Sequence, residues 1–520
     1  MKYLMSIDAG TGSVRAVIFN ETGKEISIEQ IEWVHKEEKD VPNSMSFDFK
    51  TNWKLVVKCI KKAIKKAKID SSEIIALSAS SMREGIVLYD KNGDELFGVA
   101  NVDARGSKQV EYLNKTFPNF QKEFYKKSGQ TFALAALPRL MWVKEHKPKI
   151  YEKTVYISMI SDWILAKLSD IIATEPSNAG TTGIFSLEKR DWLPSMATKV
   201  GIKSNIFPPC YESGEIIGNV TKEGSKQTGL SIKTKIVMGG GDVQVGTLGL
   251  GVVKPYQAAV LGGSFWQQIV NIPNNLTPPN DMGIRVNPHV ITNQSQAEGI
   301  TFFSGLVMRW FRDVFCQDEI KEAKNLNIDT YTLLEKKSKN IPIGSNGILP
   351  IFSDSMKYGK WYHASPSFLN LSINPDVCNK YTLFRSLQEN ACIVSNINLK
   401  NIEKFTDKKI KEITFASGAS KGELWCQTLA DVTNCTIKVP VVKEATSLGC
   451  SILAGVAAGV YKDIDDGVNR TVKIEKIYKP IRKNHKVYKK IEKNWIKAYK
   501  AQLKLVDQNI TTSMWKAPGL

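Results

Sequence analysis

The segment from Tyr3 to Phe19 reads YLMSIDAGTGSVRAVIF, two apolar runs separated by Asp8-Ala9-Gly10-Thr11-Gly12-Ser13. Each run suits a buried strand, and the small residues between them predict a hairpin. A tip without bulky side chains lets backbone N–H groups and the hydroxyls of Thr11 and Ser13 approach an anion closely. A carboxylate at the mouth of such a turn repels a bare phosphate. It suits phosphate accompanied by a divalent cation, which Asp8 can hold directly or through water. The segment therefore predicts a nucleotide site of the hairpin type, with an ordinary turn as the plain alternative. Competing nucleotide motifs are missing: there is no Gly-x-x-x-x-Gly-Lys-Ser/Thr loop, and Arg15 stands where a dinucleotide fingerprint needs its third glycine.

The same arrangement returns after the midpoint. Gln257 to Leu261 reads as a strand, Gly262-Gly263-Ser264 as a turn and Phe265 to Asn271 as a second strand. Between the two hairpins lie an amphipathic Lys-rich helix (Trp53 to Lys68), an apolar strand (Ile74 to Ser80), helical patterns at 138–146 and 160–168, and a strand at 235–238. That last strand runs through Gly239-Gly240-Gly241 into Asp242. Downstream come helices at 304–315, 382–400 and 423–432, a strand entering Ser417-Gly418-Ala419-Ser420, and a packed helix within 446–461. The pattern predicts an α/β protein of two related domains, 1–246 and 247–520, each a mixed sheet flanked by helices, with a cleft between them. The segment from Asp463 is expected to be a Lys-rich helical appendage.

Composition narrows the function classes. The chain has 520 residues, a net charge of +19 and 42% hydrophobic residues, as expected of a globular protein of several domains. Its Lys residues are spread over helical faces rather than gathered into a stripe, which argues against nucleic-acid binding. No segment reads as a secretory signal or a membrane span. The eight cysteines form no Cys-x-x-Cys pair and the five histidines do not cluster, so neither a disulfide framework nor a zinc site is expected. A reducing cytoplasm fits.

Three glycine-rich turns at strand ends, plus the turn delivering Asp242, suggest two phosphate-contacting loops clamping a triphosphate. A lone carboxylate facing the terminal phosphoryl group can then accept a proton from an attacking hydroxyl. At this point the chain resembles the FGGY carbohydrate kinases, which share the actin-like (ribonuclease H-like) ATPase fold. The resemblance rests on Asp8 to Arg15, Met82-Arg83-Glu84-Gly85, Pro138 to Trp142, Gly263-Ser264, Ser304 to Trp310, Gly418 to Gly422 with Trp425 and Gln427, and Glu444 to Cys450. Further segments (Ser81 to Tyr89, Asn101 to Arg105, Ser177 to Gly183, Arg285 to Val290 and Thr512 to Leu520) resemble the branch acting on the quorum signal 4,5-dihydroxy-2,3-pentanedione.

The resemblance implies ATP and Mg2+ as cofactors, and roles for particular residues. Asp242 becomes the general base and a metal contact, with a helix N-cap as its plain alternative. Asp8 positions the metal or merely stabilises its turn. Thr11, Gly12, Ser13 and Arg15 contact phosphates on one side, and Gly263, Ser264, Gly305, Arg309, Gly418 and Gly422 hold the nucleotide on the other. The alternative for Arg15 is a solvated strand residue. Arg83 and Glu84 read the acceptor's hydroxyls, or else form a surface ion pair; Asp103 and Arg105 are weaker candidates for the same pocket. Arg309 replaces the Gln of glycerol kinases, and its alternative is an i, i+4 pair with Asp313. Trp266, Trp310 and Trp425 read as core. The resemblance also suggests the phosphotransferase carrier HPr as a partner. Other acceptors (a pentulose, glycerol or another polyol) and an actin-like ATP-hydrolysing switch remain competing readings.

Overall fold

The computed structural model describes residues 2–355, 362–517 and 519; Pro518 and Leu520 of the terminal motif fall outside them. The first hairpin is present as β1 (Tyr3–Ala9) and β2 (Ser13–Asn20), antiparallel with Ala9 facing Val14. The meander continues in β3 (Glu25–Glu32), and β4 (Ile74–Ser81), β5 (Ile216–Asn219) and β6 (Lys235–Gly241) complete a six-stranded sheet. Its strand order is β5-β6-β4-β1-β2-β3, with β4 parallel to β1 and to β6. The strands β1 and β4 are buried along almost their whole length because helices cover both faces.

One of those helices is the Lys-rich α1 (Phe49–Ala67), capped by Asp48, whose carboxylate accepts the Thr51 N–H. It buries Trp53, Val56, Cys59, Ile60 and Ala63 against the sheet, and its lysines face outward. The positive charge this helix carries is therefore a solvated face.

The second sheet repeats the plan. Its strands are β7 (Ala258–Gly262), β8 (Trp266–Pro273), β9 (Arg285–Pro288), β10 (Gln294–Thr301), β11 (Glu412–Ala416), β12 (Thr436–Pro440) and β13 (Ile474–Tyr478). They are ordered β9-β10-β8-β7-β11-β12-β13, with β7, β11 and β12 parallel. Both sheets thus contain an antiparallel meander followed by two parallel strands, and each gains an antiparallel strand on the same edge. The terminal segment departs from expectation here. It is not helix alone, because β13 joins the sheet before the last helix (Arg482–Asp507) begins.

Two helices join the lobes. After β6 comes α2 (Asp242–Gly249), and after β12 comes α3 (Ala445–Ala457). They pack on each other, and α3 also lies against β1 and β4 of the first sheet. The approach is close enough that an ideal Cβ on Gly449 would lie 2.0 Å from the Val245 carbonyl oxygen, and one on Gly249 would lie 1.9 Å from that of Ala445. The sequence reading had no counterpart for a five-stranded sheet built from strands within 36–46, 86–99 and 156–159, which sits beside the carboxyl end of β4.

Candidate active site

Strand register brings the chemistry together. Asp8 faces Ser80 across β1 and β4, and Ser80 faces Gly240 across β4 and β6. Neighbouring strands lie about 4.8 Å apart, so the carboxyl ends of three adjacent strands deliver Asp8, Arg83-Glu84 and Asp242 to one small region. That end of an open α/β sheet is where ligands bind.

Asp242 is the first residue of α2, and Gly241 takes the N-cap position. Among the described residues its carboxylate accepts one hydrogen bond, from the Val243 N–H at 2.8 Å. Burial pushes its pKa up to about 7; the Arg83 guanidinium opposes the rise, and the charges of Asp8 and Glu84 add to it. A carboxylate tuned near neutrality, with little else bound to it, fits a proton acceptor.

Asp8 is only 6% exposed. It accepts the Ser80 hydroxyl at 3.1 Å and Arg15 Nη1–H at 3.2 Å, rather than closing its own turn. Burial raises its pKa and Arg15 counters that. Arg15 is half-buried and held on both sides: its Nε donates to Gln30 at 3.1 Å and stands 3.8 Å from Glu444 at the head of α3. The tip of the hairpin is also anchored. Thr11 Oγ1 accepts from Asn101 Nδ2 at 3.0 Å, and Ser13 Oγ accepts from Gln30 Nε2 at 3.0 Å. A Cβ on Gly12 would meet nothing within 4 Å, so that face of the loop is open.

Arg83 and Glu84 do not pair with each other at the surface. The Arg83 stem crosses Gly241, the residue before Asp242, where an ideal Cβ would lie 3.2 Å from Arg83 Cγ. Its Nη1 donates to both oxygens of the buried Glu298, at 2.7 and 2.8 Å. Glu84 has φ of 65°, a left-handed conformation uncommon for a non-glycine residue. Thr181 Oγ1 accepts its N–H and Arg139 donates to its carbonyl, which pins that backbone. Burial disfavours its charge, yet Arg285 and Arg83 hold its pKa below the usual carboxylate value.

Asp103 and Arg105 lie beside this pocket with their own needs met. Asp103 accepts from the Met45 N–H at 2.6 Å and from Arg105 Nε at 2.8 Å. The Arg105 guanidinium stacks over Phe97 and Trp142. That engagement gives the pair a structural place, and the Asp103 carbonyl steadies Arg139, which donates to it at 2.9 Å.

On the second lobe, a cavity of about 540 Å³ is lined by Gly263, Ser264, Gly305, Arg309, Gly418 and Gly422, all six of the residues read there as nucleotide contacts. The hairpin residues Thr11, Gly12, Ser13 and Arg15 do not line it; they stand at the first lobe. An ideal Cβ on Gly305 would lie 2.2 Å from the Gly263 carbonyl oxygen, so the α-helix Ser304–Phe315 can start here only with glycine. Arg309 does not take Asp313, whose carboxylate is bound by Arg312 Nε at 2.7 Å. Trp266 is core, and Trp425 is buried yet also lines the cavity, donating from Nε1 to the Gln388 carbonyl at 3.1 Å. Trp310 is 42% exposed, contrary to the core assignment.

The residues that sequence reasoning did not assign are Arg139, Gln244, Arg285 and Glu298. The first three fall in or next to motif segments. Glu298 sits in a polar strand with no local signal.

Comparison with known proteins agrees with this geometry. The profile of the FGGY family of carbohydrate kinases, N-terminal domain, matches residues 3–249, and that of the C-terminal domain matches 280–458. The chain belongs to the FGGY family of carbohydrate kinases. Proteins named autoinducer-2 kinase from Yersinia enterocolitica and Photorhabdus laumondii are 52% and 51% identical to it, over 100% of this chain and 98% of theirs. Among solved structures, the kinase superposes on xylulose kinase from Lactobacillus acidophilus with a TM-score of 0.85 at 20% identity, covering 96% of this chain and 98% of that one. It superposes on Plasmodium falciparum glycerol kinase with ADP with a TM-score of 0.83 at 18% identity, covering 97% and 98%. These likenesses show the expected actin-like fold. As a member of this family the chain is an ATP-dependent kinase of small carbohydrate-like molecules. No helix among the described residues is long and apolar enough to cross a membrane.

Proposed function

We propose that this kinase transfers the terminal phosphoryl group of ATP to the terminal hydroxyl of 4,5-dihydroxy-2,3-pentanedione, in the cytoplasm after uptake of that signal. The reading rests on one observation above all: adjacent strand ends bring the buried Asp242 carboxylate, which accepts the Val243 N–H, to the same place as an arginine–glutamate pair that can bind hydroxyls. In the transfer step the acceptor oxygen bonds to the terminal phosphorus, the bond to the bridging oxygen of ADP breaks, and Asp242 takes the hydroxyl proton. Full-length likeness to proteins named autoinducer-2 kinase supports the choice of acceptor.

Residues 1–246 then form the lobe for acceptor and base, and 247–520 the lobe for nucleotide. Asp8 and Asp242 converge closely enough for the charge of one to raise the pKa of the other, an arrangement that fits a divalent cation between them. Asp8 and Asp242 would hold Mg2+ there, and it would supply charge neutralisation for the phosphates. Thr11, Gly12 and Ser13 present the open face of the hairpin to the phosphates. Arg15 joins them by sharing its contact with Asp8. HPr enters as a regulatory partner through the family resemblance only.

ADP release by the purified protein, measured with a panel of alcohols, tests the reading. Dihydroxypentanedione is expected to give the highest kcat/KM. Preference for xylulose or glycerol overturns the acceptor assignment. Hydrolysis at an equal rate with no acceptor overturns the kinase chemistry in favour of an ATP-driven switch.

A further inference from the structure

Arg83 and Glu84 belong to the first lobe, yet each is held by a residue of the second. Arg285 on β9 and Glu298 on β10 stand directly opposite each other in the strand register. Glu298 accepts both hydrogen bonds from Arg83, and Arg285 Nη2 donates to Glu84 at 2.5 Å. Two consecutive residues of one lobe thus meet a cross-strand pair of the other in a square of alternating charge. Three members are buried, with Glu298 at 0%, Arg285 at 2% and Arg83 at 5% exposure, and Glu84 is half-buried. Its outer members are braced as well: Gln244 donates to Glu298 at 2.8 Å, and Gln130 accepts from Arg285 Nε at 2.8 Å.

The square leaves a defined remainder. Arg83 Nε and Nη2 and Glu84 Oε2 make no hydrogen bond among the described residues, and the Arg83 stem packs on Gly241, the residue before Asp242. We propose that Arg285 and Glu298 are positioning residues for the acceptor. They fix the angle at which the free edges of Arg83 and Glu84 meet the acceptor's hydroxyls. The inference rests on the kinase reading above and deepens it, since the lobe that holds the nucleotide then also governs recognition of the acceptor. Planar guanidinium forks hold such angles only while their paired carboxylates are in place, and an unpaired buried charge seeks another partner. A square serving merely as adhesive between lobes would affect stability and leave recognition unchanged.

Glu298→Gln, Glu298→Asp and Arg285→Lys in the full-length protein separate the two roles. Acceptor KM, ATP KM, kcat and melting temperature are measured with whichever alcohol the wild type phosphorylates best. Failure of dihydroxypentanedione with the wild type would therefore reject the acceptor assignment and leave this comparison readable. Acceptor KM is expected to rise about tenfold or more in Glu298→Gln while ATP KM stays within about twofold, with partial recovery in Glu298→Asp. Should Glu298→Gln fail to fold, Arg285→Lys, which keeps the charge and loses the fork, gives the same reading. Unchanged acceptor KM in every folded variant, with only the melting temperature lowered, overturns the proposal, as does an equal rise in both KM values.

Discussion

The two lobes share a strand order and differ in the residues set at their strand ends. In the first, β1, β4 and β6 deliver Asp8, Arg83-Glu84 and Asp242. In the second, the matching ends of β7 and β11 deliver Gly262-Gly263-Ser264 and Ser417-Gly418, where Ser417 itself has φ of 77°. One scaffold has thus been put to two uses. On the proposed reading, charged side chains at one set of ends make a reactive centre, and small residues at the other leave room for a flat, bulky ligand. The joint between them, α2 against α3, is built from glycines on both helices.

This contrast can be broken from either side. The largest effect is expected at the reactive end, where Asp242→Asn should lower kcat by about 10²- to 10⁴-fold and leave nucleotide affinity within about twofold. Steady-state kinetics alongside nucleotide titration read both quantities. Gly305→Ala should do the reverse, because its new methyl group meets a backbone carbonyl in the cavity wall. Nucleotide binding should weaken by about 10- to 100-fold, with a smaller change in kcat at saturation.

At the joint, Gly449→Ala ought to cost about 1–3 kcal/mol, read as a lower urea midpoint. Alanine is normally the better helix former, so the sign itself is informative. The smallest effect concerns pH. Burial pushes Glu175 up to about 7 and raises Asp162 in the same direction. The folded state therefore holds a proton that the unfolded state has released between about pH 4.5 and 7, and stability falls as pH rises through that window. Glu175→Gln should remove about 1–3 kcal/mol of that decline, seen by comparing urea midpoints near pH 5 and pH 7.5.

Much of this division was legible in the chain. Both hairpins announce themselves through apolar runs around small residues, and the Gly-Gly-Gly-Asp run places Asp242 at a strand end, because these signals are local. Glu298 and Arg285 were not readable as partners, since their role comes from a register between strands and a contact over more than 200 residues of chain with Arg83 and Glu84. Arg15 and Trp310 show the same limit. One is tied to Asp8 and Gln30, and the other is left exposed on its helix. The strand β13 was hidden within a Lys-rich segment, where edge position and exposure relax the demand for apolar residues.

The most direct test is a crystal structure with a non-hydrolysable ATP analogue and the acceptor bound. The account predicts the adenosine in the cavity beside Gly305 and Gly422, and the acceptor oxygen within hydrogen-bond reach of Asp242 on the path to the terminal phosphorus. An adenosine seated on the first lobe, or a terminal phosphate remote from Asp242, would contradict it.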